Sequence, residues 1–245
     1  MGRVVLLLAL GAAQFAWPSA ASGVDCCLDK SALRGIDAAI VQSPAFEDGH
    51  PDMRLRRLGT EARAAGRLEH ARSFFRRAGR FGDKLSQAAY AEMLWEGEGG
   101  EADPVLGYIW MDLAAERGAP MFLALRERYW EALDARQREQ VLDQGRAVYA
   151  EYGDEVALPR LARVMRRVAN NVTGSRTGWV GTLEVYLGQD ADGASDALVR
   201  GDRFFADRYW DPDAYRQWQD DLLLTPNPRG RVNLGELEQV EDESR

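Results

Sequence analysis

The 245-residue chain is acidic overall, with 39 Asp and Glu residues against 31 Lys and Arg residues and a formal net charge of −8. Nucleic acids and anionic membrane surfaces are polyanions that need a clustered basic face, so this charge argues against either of them as the main partner. With 46% hydrophobic and 29% charged residues, the composition is typical of a folded globular protein.

The N-terminus has the pattern of an export signal. Arg3 precedes an apolar run over residues 4–16, which is too short for a transmembrane helix of about 20 apolar residues. Small side chains up to Ala21 suit signal peptidase, so we predict a signal peptide over residues 1–21. The alternative is an uncleaved membrane anchor, but no basic stop-transfer flank follows. We expect a bacterial protein that is periplasmic or secreted, without stable membrane insertion after cleavage.

Residues 22–52 are predicted to form a linker with one possible helix, because Gly and Pro interrupt all but one short amphipathic stretch at residues 32–41. The two cysteines of the chain, Cys26 and Cys27, are adjacent, and a disulfide between neighbours closes a strained ring. We therefore expect either a disulfide-linked dimer through one of these cysteines or a pair of reduced thiols.

From residue 53 to residue 152, apolar residues recur at three- and four-residue spacing, which predicts helices. A shift of 36 residues superposes Phe74 on Trp110 and Gly82 on Gly118. This period fits a unit of two helices joined by loops. The sequence therefore predicts an α/α solenoid in this part of the chain.

Local signals mark the helix ends in one unit. A first helix over residues 85–96 is expected to end at Gly97, since glycine tolerates the left-handed backbone that follows a helix. Asp103-Pro104 begins the second helix, because Asp can cap free amides and Pro fits the first turn. Trp110 is expected to face the interior from that second helix.

This part of the chain resembles the Sel-one-like repeat, a relative of the tetratricopeptide repeat. The resemblance is carried by the run Met93-Leu94-Trp95-Glu96-Gly97-Glu98-Gly99, then Asp103, Trp110 and Ala114-Ala115-Glu116-Arg117-Gly118. It covers residues 53–131. The resemblance implies stacked helical hairpins that bind a protein or peptide.

Residues 119–130 fit the first helix of a third unit, and residues 134–149 fit a longer amphipathic helix. We interpret the longer helix as a cap, because the end unit of a repeat array exposes an apolar face. The repeats with their capping helix are thus predicted to span residues 53–152.

Residues 153–245 form a C-terminal extension with mixed patterns. Helices are predicted at 158–168, 197–209 and 213–223, and period-two alternation predicts strands at 179–187 and 231–240. The expected fold is therefore mainly α, a short Sel-one-like solenoid with a small C-terminal α or α+β extension.

The sequence contains no recognised catalytic or metal-binding arrangement. Two histidines, His50 and His70, are present, so a three-histidine zinc site cannot form, and we expect no metal and no cofactor. Residues 174–178 lack the spacing of a nucleophile elbow. We therefore do not expect an enzyme and name no catalytic residue.

Partner contacts are expected on the concave surface of the solenoid. Tyr90 and Leu94 fall outside the core stripe of a first helix, and the 36-residue shift places Arg126 and Trp130 at the equivalent positions. Aromatic and Arg side chains are favoured at binding hot spots. These four residues are the candidate contacts with a protein or peptide.

The expected function is that of an exported adaptor or scaffold. One alternative is a cell-envelope hydrolase or transferase with its chemistry in residues 179–245. Convergence of Asp, Glu, Tyr and Arg side chains in a pocket there would favour it. Another alternative is a secreted inhibitor or immunity-like protein, which a purified tight complex would reveal.

Overall fold

The structure is a computed structural model and describes residues 36–173, 184–187 and 198–224. The predicted signal peptide, the pair Cys26 and Cys27, and the predicted strand at 231–240 lie outside these residues. Among the helices in the described ranges, none combines the length and the apolar character needed to span a bilayer.

Helical hairpins form the middle of the chain. Helix α3 (Pro51–Ala64) packs on α4 (Leu68–Gly79), and α5 (Lys84–Glu96) packs on α6 (Pro104–Ala115). When 36 is added to the residue numbers, the first and last residues of α4 become those of α6, and those of α5 become those of α7 (Pro120–Ala132). The structure therefore confirms the mainly helical solenoid.

The turns between the helices repeat with the same period. Gly82 and Gly118 lie one period apart and have φ angles of 77° and 76°, while Gly97 has a φ angle of 74°. The carboxylate of Asp103 accepts a hydrogen bond of 3.0 Å from the amide of Leu106, which caps α6 as predicted. These local signals are what position the second helix of each unit on the first.

Trp110 lies at the centre of the solenoid core, with 2% of its surface exposed. Its ring is 4.6 Å from the ring of Tyr90 and 4.5 Å from that of Tyr152, measured between centroids. It also packs over Gly79, where a Cβ atom would come within 2.8 Å of the indole. The predicted inward orientation of Trp110 is confirmed. The indole fits in this place because residue 79 of the neighbouring unit is a glycine and has no side chain.

Gly99 and Gly66 offer a matched test of backbone packing between units. Both have a φ angle of 71°, so alanine at either position carries the same left-handed cost of about 1–2 kcal/mol. A Cβ at Gly66 meets nothing within 4 Å, whereas one at Gly99 comes within 2.6 Å of the Leu68 backbone. We expect Gly99→Ala to lower the free energy of unfolding, measured in urea, more than Gly66→Ala does. Equal losses would contradict this close approach.

Two longer helices follow the hairpins. Helix α8 (Ala135–Tyr152) begins with a capping box between Asp134 and Gln137 and packs on α6, as α7 does. Helix α9 (Asp154–Thr173) begins directly after Gly153 and packs against α8. The solenoid therefore passes into the C-terminal extension through continuous helical packing.

The extension also contains a small sheet. Strand β1 (Glu184–Tyr186) pairs antiparallel with β2 (Leu198–Arg200), and Val185 lies opposite Val199. The extension is therefore α+β, one of the two predicted forms.

The helix predicted over residues 197–209 is wrong. Residues 198–200 form β2, in which only the middle side chain is buried, as the alternation of a strand requires. Two four-residue helices follow, α10 (Gly201–Phe204) and α11 (Asp207–Trp210). Helix α12 (Pro212–Leu224) agrees with the predicted helix at 213–223.

The two ends of the described chain share a second hydrophobic core. Helices α1 (Ile36–Val41) and α2 (Pro44–Gly49) lie within the segment predicted as a linker. Phe46 of α2 is fully buried, with its ring edge-on to Tyr209 and near Trp210. The other members of this core are Ile40, Val41, Leu161, Met165, Val185, Leu187, Val199, Phe204 and Tyr215. Helix α1 lies in the stretch predicted as a possible helix at residues 32–41, whereas the six residues of α2 carry too few turns for a periodic pattern to reveal it.

Buried polar groups join the same two ends. The ring nitrogens of His50 lie 2.8 Å from the Phe46 carbonyl oxygen and 2.6 Å from that of Tyr209. The carboxylate of Asp52 accepts a hydrogen bond of 2.7 Å from the hydroxyl of Tyr215. Burial raises the pKa of Tyr215, which keeps this hydroxyl protonated as the donor. These contacts join residues 159 and 163 positions apart in the chain.

Candidate partner-binding groove

Two of the four predicted contact residues lie on α5 and are buried. Leu94 is 1% exposed and packs in the solenoid core, so its expected exposure on the concave surface is wrong. The physical reason is that α5 is packed between α4 and α6, which leaves this helix almost no free face. Tyr90 is 7% exposed, and its remaining surface borders a groove beside α4.

The other two predicted contact residues, Arg126 and Trp130, lie on α7 and are partly exposed. Arg126 forms an ion pair with Asp112 at 3.4 Å, and the guanidinium of Arg138 lies 5.1 Å from the Trp130 ring centroid. The residues that line the groove beside Tyr90 include neither of them. Their contact with a partner stays a prediction.

The groove beside Tyr90, called here the α4 groove, has a volume of about 370 Å³. Residues four apart on a helix share a face, and three arginines of the lining have this spacing along α4 and its C-cap. The lining consists of Glu69, Arg72, Ser73, Arg76, Arg77, Arg80, Tyr90, Glu151 and Tyr152. A concentrated positive charge thus lies on the surface of an acidic protein.

The lining holds four arginines against two glutamates, so the groove keeps a net positive charge. Arg80 forms an ion pair with Glu151 at 3.4 Å. None of the carboxylates in the described residues pairs with Arg72, Arg76 or Arg77, and all three contact aromatic side chains. Arg72 also donates two hydrogen bonds of 3.3 Å to the backbone carbonyl of Glu101. Guanidinium groups bind carboxylates and phosphates through two parallel hydrogen bonds. The α4 groove is therefore suited to an anionic ligand.

Aromatic packing holds the floor of the α4 groove in place. Tyr90 and Tyr152 both lean on Trp110, which is buried beneath them. The hydroxyl of Tyr152 accepts a hydrogen bond of 3.1 Å from Nε of Arg76, and the guanidinium of Arg72 lies 6.0 Å from the Tyr90 ring centroid. Two of the arginines are therefore positioned before any ligand arrives, which lowers the entropy lost on binding.

A second cavity, of about 540 Å³, lies between α9 and α12. Asp211, Asp213, Tyr215 and Arg216 line it from the C-terminal extension, and Arg117 lines it from the end of the solenoid. This is the kind of convergence that the enzyme alternative requires. In the described ranges, no group of three His, Cys, Asp or Glu side chains is arranged to hold a metal ion.

Several polar groups around the second cavity have structural partners. Arg216 pairs with Asp220 at 3.1 Å, and the carboxylate of Asp211 accepts hydrogen bonds from the amides of Asp213 and Ala214 at the start of α12. The hydroxyl of Tyr215 donates to Asp52, as described above. These interactions account for the positions of the side chains through the stability of the fold.

A buried ionic network borders the second cavity and joins the solenoid to the extension. Lys84 is fully buried, and its Nζ atom lies 2.7 Å from Glu116 and 2.9 Å from Asp154. Arg117 pairs with Asp154 at 2.7 Å and with Asp220 at 3.1 Å. Burial alone would raise the pKa of Asp154, but the hydrogen bonds and charges of Arg117 and Lys84 outweigh it, and the pKa is lowered.

The α4 arginines are a feature that sequence reasoning missed. The available signal is the four-residue spacing of Arg72, Arg76 and Arg80 in a chain with an acidic excess. A charged face on a helix usually does no more than contact solvent. What distinguishes this face is that Arg72 and Arg76 have no carboxylate partner among the described residues, and the sequence pattern does not show this.

Comparisons with known proteins give one partial similarity. No family model and no curated protein matches the chain. Among solved structures, the chain is similar to a protective antigen present in uropathogenic Escherichia coli strains, described as displaying an SLR fold. The identity is 23% and the TM-score is 0.39, over 46% of this chain and 25% of that chain. The chain thus spans about a quarter of the length of that protein, and the helical solenoid described above rests on the chain's own geometry.

Proposed function

We propose that the protein is an exported repeat protein that binds a protein or peptide partner as an adaptor or scaffold, in the periplasm or outside the cell. The α4 groove is the observation that carries this proposal, since it combines positioned arginines with tyrosine rings. Stacked helical repeats commonly present such extended binding surfaces. The apolar run before residue 21 supports export.

The chemistry of the α4 groove favours a partner segment with carboxylates. Each carboxylate can accept two hydrogen bonds from one guanidinium, at about 2.7–2.9 Å. Arg and Tyr are among the residues that most often dominate the binding energy of an interface. Because Arg76 and Arg77 are exposed, their attraction for an acidic segment should weaken as salt rises.

Affinity purification from envelope extract tests the proposal with matched variants. The groove variant is Arg72→Ala/Arg76→Ala, and the control is Arg136→Ala/Arg146→Ala, which removes the same charge from exposed positions on α8. We expect the partner to be recovered with the wild type and the control, and at least about tenfold less with the groove variant, equivalent to about 1.4 kcal/mol. Equal recovery with all three proteins would show that the α4 groove is not the binding site.

A cell-envelope hydrolase or transferase is the second candidate function, and the convergence of charged side chains at the second cavity favours it. Its test is turnover of ester, peptide and glycoside substrates by the purified chain, with Asp213→Asn as the variant that should lose activity. Absence of turnover together with groove-dependent partner recovery would exclude it. An inhibitor or immunity-like role would instead give a single stoichiometric complex.

A further inference from the structure

We propose that the acidic C-terminal segment of this chain, residues 236–243, binds in the α4 groove and competes there with the partner. This inference rests on the proposed function of the groove, and it adds regulation of the same site. The C-terminal segment lies outside the described residues. Its sequence, the charge of the groove and the position where the described chain ends support this placement.

Charge complementarity is the first argument. The segment contains Glu236, Glu238, Glu241, Asp242 and Glu243 and no basic residue. The α4 groove contains four arginines, and three of them have no carboxylate partner among the described residues. Leu237 and Val240 lie between the acids of the segment and supply apolar groups for the tyrosine rings. The most acidic stretch of the chain and the arginine-rich groove thus match in sign and in composition.

The chain between α12 and the acidic segment is long, and it starts at the solenoid core. Leu223, one residue before the end of α12, packs against the hydrophobic core that includes Tyr90 and Tyr152. These two tyrosines also line the α4 groove. The 12 residues from Leu224 to Glu236 can extend over about 40 Å. This length is about twice that of the 13-residue helix α5 at 1.5 Å per residue, so the linker is long enough to pass around the solenoid core.

Because the C-terminal segment is tethered to the fold, weak contacts are sufficient for it to occupy the α4 groove. A segment joined by a short linker has an effective concentration on the order of millimolar near its site. An intrinsic affinity in the millimolar range is then enough to fill the groove about half of the time. A partner with carboxylates must displace the segment, so the segment sets a threshold for binding.

The test uses the full chain without the predicted signal peptide and a fluorescent peptide of eight glutamates as the probe. The tail variant carries Glu236→Gln, Glu238→Gln, Glu241→Gln, Asp242→Asn and Glu243→Gln. A control variant removes five exposed carboxylates elsewhere, through Asp48→Asn, Glu131→Gln, Glu139→Gln, Asp143→Asn and Asp221→Asn. Probe affinity is measured by fluorescence anisotropy at low salt, after thermal melting has verified that each variant folds.

We expect the tail variant to bind the probe about twofold more tightly than the control variant, because a competitor that fills the groove half of the time halves the apparent affinity and only the tail variant loses it. Adding Arg72→Ala/Arg76→Ala to the tail variant should abolish the gain. Equal affinities of the tail and control variants, with binding still dependent on the arginines, would overturn the competition and leave the proposed function standing. Probe binding that Arg72→Ala/Arg76→Ala leaves unchanged in every variant would overturn both the competition and the proposed function.

Discussion

Replacing Trp110 with alanine is expected to lower the free energy of unfolding by about 3–5 kcal/mol. The indole is buried between Tyr90 and Tyr152 and packs over Gly79. These contacts come from α4, α5 and α8, so the remaining side chains can fill the cavity only if several helices move together. Urea denaturation followed by circular dichroism measures the loss.

Leu142 provides the control for the Trp110 prediction. It is also apolar and helical, but 71% of its surface is exposed, so Leu142→Ala should change the free energy of unfolding by less than about 0.5 kcal/mol. A Trp110→Ala protein that unfolds at the wild-type urea concentration would contradict the core described here. In a folded Trp110→Ala protein, weaker binding of acidic peptides is also expected, because Tyr90 and Tyr152 lose their support.

Lys84→Met is expected to cost about 1–3 kcal/mol, because it leaves the Glu116 carboxylate and a buried carbonyl without their donor, while Asp154 keeps its pair with Arg117. In the wild type, Nζ of Lys84 also donates a hydrogen bond of 2.8 Å to the carbonyl of Leu113. This one side chain therefore joins the start of α5 to the end of α6 and the start of α9. The free energy of unfolding measured in urea reports the loss.

A double-mutant cycle separates this network from a simple loss of packing. Glu116→Gln alone should destabilise, but it should add less to Lys84→Met than its own cost, because both remove the same pair. The control is Glu61→Gln, which breaks an exposed i,i+4 pair with Arg57 and should cost less than about 0.5 kcal/mol. Strictly additive losses for Lys84 and Glu116 would mean that the two do not interact.

The pH dependence of unfolding gives a second measure of the same network. Because the pKa of Asp154 is lowered in the folded state, its stabilising contribution is fully present above the ordinary carboxyl value of 3.8 and is lost as the pH falls through the lowered pKa. Lys84→Met removes one of the charges that lower this pKa. The decrease in the free energy of unfolding as the pH falls below 4 should therefore be smaller in the variant than in the wild type.

Local signals in the sequence were sufficient to predict the helical solenoid. The cap at Asp103, the left-handed turn at Gly97 and the inward face of Trp110 each depend on residues within a few positions, and the structure confirms all three. The burial of Leu94 was missed because it depends on α5 lying between two other helices. Periodicity on one helix does not report how many of its faces are covered.

The second core could not be predicted because its contacts are not local. The helices around Phe46 have six residues each, and their partners, such as Tyr209, lie at the other end of the chain. The same holds for the α4 groove. Its arginines are visible in the sequence, but which of them find a carboxylate among the described residues depends on helices that are distant along the chain.

The core shared by α1, α2 and α12 has a consequence for the order of events during synthesis. Contacts between residues 159 and 163 positions apart give this part of the protein a high contact order, which slows folding. The hairpins of the solenoid can form from the nascent chain as soon as each pair of helices has emerged. Helices α1 and α2 emerge earlier still. Phe46 and His50 nevertheless stay exposed to solvent until Tyr209 and Tyr215, which bury them, have been translated.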